Sequence, residues 1–301
     1  MAASAAFAPV VWLNLVCLDA PVVAVVWHSL FARTFEVPAN MGNSAALFLT
    51  AWFIYLGDRL ADAVSLTPGS PRSLRQEFCA THRDIWIVAL LLIGGLDAYV
   101  IWQTTAAETF FAGTVVGLLG LIYLVLNHPL GRIWRFVPLK EFAVGFLFAA
   151  GTLVALLPAL PRINAAFVIG ALAFASLCML NCISIACWER DLDEAQRKVS
   201  VATRYPGITR HVGSICALLA FVSFVIAIVY PAAAPLLGAI SLSALLLTWL
   251  NASTDPKEGR FPNRPRRFVN RRSLNLDPDQ RTALADLVLL TPIISLLMTA
   301  L

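Results

Sequence analysis

Residues 165–193 read AAFVIGALAFASLCMLNCISIACWERDLD. No charged residue occurs from Ala165 to Trp188, a run long enough to cross a hydrocarbon core of roughly 30 Å as a helix. Three acids and an arginine then follow within Glu189, Arg190, Asp191, Leu192 and Asp193. The stretch predicts a membrane helix that stops at a charged boundary. The same pattern of an apolar run and a polar stop marks nine spans, at 6–31, 44–61, 85–104, 109–126, 139–157, 165–188, 212–230, 235–250 and 283–301. The chain is 59% hydrophobic and only 13% charged, too few charges for a soluble domain to cover so much apolar surface. The expectation is an all-α integral membrane protein, one domain over residues 1–301, with nine transmembrane helices around a central cavity that opens to the cytoplasm.

The breaks support this division. His128-Pro129-Leu130-Gly131 separates the fourth and fifth spans. Pro138 suits the first turn of the fifth, and Asp277-Pro278 reads as an N-cap and first-turn proline for the ninth. Nearly all the basic residues fall in the connections after the even-numbered spans; the other side holds only Arg33 and Arg162. The positive-inside rule then predicts a multi-pass protein of the cytoplasmic membrane with its N-terminus in the cytoplasm. Met1 to Pro9 carries no basic region before its apolar run, so the first span is expected to be retained rather than cleaved. The connection 251–280 is rich in arginine and broken by Pro256, Pro262, Pro265 and Pro278. It reads equally as a surface for anionic lipid or as a mobile loop.

Chemistry is expected where two spans meet their charged ends. The second ends in Gly57-Asp58-Arg59-Leu60-Ala61-Asp62, the sixth in Glu189-Arg190-Asp191-Leu192-Asp193. Both contain acid-Arg-x-x-acid, which puts two carboxylates on one helix face. Like charges there repel, a helix C-terminus is already negative, and the hydrocarbon boundary penalises ions. Two such pairs on one side of the membrane call for compensating positive charge. A hard dication such as Mg2+ fits, because it binds through one or two carboxylates and completes its shell with water and phosphate oxygens. The plainer reading is two solvated helix ends neutralised by Arg59 and Arg190.

At these residues the chain resembles the UbiA-type intramembrane prenyltransferases. Asp58-Arg59-x-x-Asp62 is similar to the latter part of that family's first aspartate-rich motif. Glu189-Arg190-Asp191-Leu192-Asp193, followed by Lys198-Val-Ser200-Val-Ala202-Thr203, is similar to the second. Lys140 and Gly145 look like the basic residue and glycine that open the family's fifth helix. Three positions depart from the pattern. Ile54 stands where the first motif often begins with Asn, Glu189 replaces Asp, and Tyr123-x-x-x-Asn127 stands where the family has Tyr-x-x-x-Lys.

The resemblance implies Mg2+-dependent transfer of a prenyl group from a prenyl diphosphate to a lipophilic acceptor in the lipid bilayer. Asp58, Asp62, Glu189 and Asp193 would be the catalytic residues and hold the metal. Lys140, Arg72, Arg75, Arg190, Asp191, Tyr123 and Asn127 would bind the substrate. The departures keep open a catalytically silent, lipid-binding member of the same fold. A cation-coupled transporter is the third reading, resting on the acids Asp19 and Asp286 inside spans. For Asp19 the plainer role is a neutral acid hydrogen-bonded to Asn14 or Asn181, and Asp97 reads as structural. Five of the six cysteines lie in apolar spans, so no disulfide partner is expected. Nor is nucleic acid, and the four histidines show no ligand spacing.

Overall fold

A computed structural model describes residues 8–38, 40–67, 69–127, 140–160, 162–253 and 276–298. Arg132, Arg135, the breaker at 128–131, Pro138 and most of the basic connection 251–280 lie outside the described residues. The described chain is helical, with no strand among those residues. In order it forms α1 Ala8–Leu15, α2 Asp19–Thr34, α3 Met41–Ser65, α4 Leu74–Thr81, α5 Arg83–Thr104, α6 Ala107–Asn127 and α7 Lys140–Leu153. Then follow α8 Ala165–Trp188, α9 Arg190–Ala195, α10 Val201–Arg204, α11 Val212–Val229, α12 Ala234–Ala252, α13 Pro278–Val288 and α14 Pro292–Met298.

Six helical segments among the described residues are long and apolar enough to cross a membrane, or seven if the bent pair α1–α2 counts as one span. They are α5, α6, α8, α11, the stretch Pro231–Ala252 and the stretch Pro278–Met298. The protein is therefore an all-α chain with the character of a multi-pass membrane protein. The two other expected spans, at 44–61 and 139–157, are helical as α3 and α7 but outside that set. The run α7 has only 14 residues.

The first expected span is not one rod. α1 and α2 meet at 94°, and Cys17 at the corner has φ +57°. A left-handed residue ends the first helix and turns the chain. The ninth is interrupted at Leu289–Thr291, just before Pro292, which cannot donate the bond that would continue α13. Asp277 caps α13 in a reciprocal capping box with Gln280, as Asp277-Pro278 predicts.

Packing follows from what lipid lets a helix do. With lipid as solvent, helices associate through close fit and buried polar contacts. α6 is almost wholly outward-facing, showing Phe110, Phe111, Leu118 and Leu121; α5 shows Leu91, Leu92 and Trp102. The interior gathers α2, α7, α8 and α12. Trp27 stacks on Phe174 at 4.5 Å between centroids and donates its indole N–H to the Leu289 carbonyl at 2.8 Å. The ring Nδ1 of His28 lies 2.9 Å from the Thr152 carbonyl.

Gly145 lets α7 reach α8. A Cβ there would lie 2.5 Å from the Met179 backbone nitrogen, and backbone cannot swing aside as a side-chain tip can. Gly145→Ala is expected to cost about 1–3 kcal/mol, the usual cost of overpacking, read as a lower midpoint for thermal unfolding in detergent. Gly113→Ala, at a position where nothing lies within 4 Å of the new atom, is the control and leaves the midpoint in place.

Candidate functional site

The two acid motifs sit in different local structures. Asp58 and Asp62 lie in the last two turns of α3, which runs on to Ser65. α8 ends at Trp188, and Glu189 is the hinge into the short helix α9. This corrects the expectation of a second acid pair at a helix C-terminus. Asp191 and Asp193 occupy the first turn of α9, where a helix dipole favours negative charge.

Polar contacts hold the surrounding pieces in place. Glu141, the second residue of α7, accepts a hydrogen bond from the Val201 N–H at 3.1 Å and so ties α10 to the start of α7. α10 is capped by Ser200, whose side chain and that of Thr203 bond reciprocally. The Gln196 amide donates to the Pro71 carbonyl at 2.7 Å and to Gln76 at 2.8 Å, drawing the segment after α9 onto α4.

The result brings basic groups onto both motifs. Lys198 donates to Asp62 at 2.8 Å. Arg75, on α4, pairs with Glu189, both side chains nearly buried. The other Glu189 oxygen accepts from the Thr282 hydroxyl at 3.0 Å, adding α13 to the assembly. Lys140 lies within electrostatic range of Asp62, Asp58 and Asp193. Burial pushes the Asp193 carboxyl up to about 6; Lys140 and Lys198 oppose the shift, and Glu189 adds to it. Tyr123 of α6 is near enough to Asp58 and Asp62 to feel their charge.

Of the residues expected from sequence, Asp58, Asp62, Glu189, Asp193, Lys140, Arg75 and Tyr123 thus come together. Asn127 is the last residue of α6. Arg190 turns along its own helix to Glu194 at 2.8 Å, and Asp191 is exposed. Arg72 lines a separate groove with Arg83. Sequence reasoning assigned no role to Lys198 or Thr282. Lys198 stands inside the stretch that carries the family resemblance, so its charge was the available signal. Thr282 had none, because its link spans 93 residues.

Asp58, Asp62 and Asp193 supply the oxygen ligands a hard dication prefers. Among the described residues no three His, Cys, Asp or Glu side chains are close enough to hold a metal ion. Any Mg2+ bound at these residues would be held by one or two carboxylates and would complete its shell with water and phosphate oxygens.

A second polar cluster lies deeper. Asn14 donates to Asp19 at 2.6 Å and to Asp286 at 3.3 Å, and Asn181 donates to Asp286 at 3.0 Å. Asp286, Asn181 and Tyr55 border a small cavity of about 30 Å³ with Cys182, Gly145 and Phe148. It is room for about one water molecule. Asp19 thus has the Asn14 hydrogen bond that its plainer role calls for. Asp97 is buried and accepts from Thr50 at 2.8 Å. Asn14→Leu takes one donor from each of two half-buried carboxyls at once. Its expected cost is about 1–2 kcal/mol of stability in detergent, with Asn14→Gln recovering part of it.

Comparison with protein-family models, with curated proteins and with solved structures finds no match.

Proposed function

We propose that the chain transfers a prenyl group from a prenyl diphosphate to a lipophilic acceptor within the membrane, with Mg2+ as cofactor. The observation that carries the reading is the meeting of acids from α3 and α9 with Lys140 and Lys198. Carboxylates and ammonium groups side by side form a site that can take a metal-bound diphosphate, the metal against the acids and bare phosphate oxygens against the lysines. One or two of Asp58, Asp62 and Asp193 would hold the Mg2+, which when bound neutralises the negative charge that grows on the leaving diphosphate. Lys140 and Lys198 stabilise the same charge directly. Arg75 fixes Glu189 and so positions α9. The lipid-facing helices keep bulk water from the allylic carbon, which an acceptor nucleophile then captures. On this reading α3 and α7 also cross the bilayer, which gives nine spans, and the basic end faces the cytoplasm.

A specific observation favours a second reading. Asp62 and Glu189 are already satisfied by Lys198, Arg75 and Thr282. A silent, lipid-binding member of the fold would neutralise its acids in this way. The deeper Asn14–Asp19–Asp286–Asn181 cluster is what a cation-coupled transporter would use.

Purified protein incubated with Mg2+, labelled farnesyl or geranylgeranyl diphosphate and a panel of lipid alcohols and quinone precursors separates the three. Magnesium-dependent diphosphate release supports the enzyme. Tight binding without release on any acceptor supports the silent reading. Cation flux in liposomes, indifferent to prenyl diphosphate, supports the transporter.

A further inference from the structure

Arg72 and Arg83 face a groove that the proposed reaction does not use. It has a volume of about 280 Å³ and is lined by Leu60, Ala63, Val64, Leu66, Cys79 and Ala80 besides the two arginines. The walls come from the end of α3, the segment after it, α4 and the first residue of α5. No acidic side chain lines it. Asp84 lies in the same first turn of α5 but outside the lining, and both arginines are exposed.

Three features define the ligand. Two guanidinium groups facing one space bind phosphate oxygens better than any neutral group, because their N–H forks match that geometry. Arg83 is also the first residue of a 22-residue apolar helix, so the groove sits at the depth where hydrocarbon gives way to water. The N-terminus of that helix has no side-chain cap. The remaining wall is aliphatic, suited to a glycerol backbone and the start of an acyl chain. A free phosphate ion would use the arginines and leave that wall wet.

We infer that this groove is a binding site for the phosphate headgroup of an anionic phospholipid, separate from the acid cluster. Arg72 and Arg83 grip the phosphate, Leu60, Val64 and Leu66 pack against the glycerol and upper acyl chain, and the molecule is held where α3, α4 and α5 meet. Because α4 also carries Arg75, a lipid seated here braces the helix that holds Glu189.

The test uses the full chain in detergent after delipidation. Phosphatidylglycerol or phosphatidylcholine is added back, and retained lipid is counted by native mass spectrometry. The expected result is clear preference for phosphatidylglycerol. Two interfacial arginines together account for about a thirty-fold difference in affinity. Arg72→Gln/Arg83→Gln should remove most of that preference, whereas Arg210→Gln, an exposed arginine on the same charged side, should keep it. Inorganic phosphate alone should compete only weakly. Equal retention of the two lipids by the wild type overturns the proposal. So does an equal loss in Arg210→Gln, which would mean general surface charge. Competition by inorganic phosphate as effective as by lipid would place a free anion in the groove and overturn it too. Should the double variant fail to fold, the wild-type lipid comparison and the single variant Arg83→Gln decide alone.

Discussion

Asp193→Ala lowers magnesium-dependent diphosphate release by about a thousandfold on the proposed reading, and Asp58→Ala does the same. The size follows from the chemistry asked of the site. Stabilising a leaving diphosphate through a metal contributes several kcal/mol, and each 1.4 kcal/mol is tenfold in rate. The two residues come from separate helices, so parallel losses would show that the motifs act on one substrate. Asp191→Ala is the control: this acid stands two residues from both Glu189 and Asp193 yet is exposed, and its loss should change the rate less than threefold. A silent lipid-binding protein would give no release to lose. Acidity supplies a second readout. With the Asp193 carboxyl pushed up to about 6 by burial, its charged form is lost as pH falls through 6. Magnesium affinity should therefore drop between pH 7 and pH 5, and should do so less steeply in Asp193→Asn. For stability the sign is opposite. A carboxyl raised from 3.8 binds its proton more tightly when folded, so its contribution is greatest below about pH 4 and is lost as pH rises through 6.

The helical membrane character of the chain was open to reading because charge and hydropathy act locally. An uninterrupted apolar run such as Ala165–Trp188 has one stable solution in lipid, the helix that satisfies its own backbone. The caps were equally local: Asp277 is followed three residues later by Gln280. The 94° corner at Cys17 was not visible, because the polar residues beside it, Asn14 and Asp19, read equally as hydrogen-bonding partners within one straight span. The kink becomes legible only once Asn14 is seen reaching Asp19 and Asp286. The acids themselves stood out, since an ion at a hydrocarbon boundary is costly wherever it occurs. Their partners did not. Arg75 reaches Glu189 across 114 residues and Lys198 reaches Asp62 across 136. Arg72 and Arg75 looked equivalent on the sequence; a capping box at Ser73 and Gln76 starts α4 between them and directs one to the acid cluster and the other to the lipid-depth groove.

Arg75→Ala should be the most damaging substitution for stability, at about 3–5 kcal/mol. Its guanidinium and the Glu189 carboxylate are each nearly buried, with side-chain exposures of 10% and 12%. Taking away the cation leaves a nearly buried carboxylate with the Thr282 hydroxyl as its hydrogen-bond donor and Arg59 as a more distant positive charge. An orphaned buried charge costs far more than the pair contributed. The pair itself is of little net worth, since desolvating both groups consumes most of their attraction. Arg75→Met combined with Glu189→Gln should therefore recover most of the loss, Thr282 now bonding an amide. Glu189→Gln alone is expected to fall between the two, because the amide oxygen can still accept a hydrogen bond from Arg75. Thermal unfolding in detergent at pH 7 measures all three. A double variant as unstable as Arg75→Ala would mean that the ion pair contributes specific geometry that a neutral pair cannot reproduce. A single variant as stable as the wild type would mean that Glu189 is not held by Arg75 at all. The same series bears on the choice between enzyme and silent fold. If Arg75 serves only to position Glu189, the double variant regains stability and Mg2+-dependent release together. If Glu189 itself must carry charge toward the metal, stability returns while release stays lost.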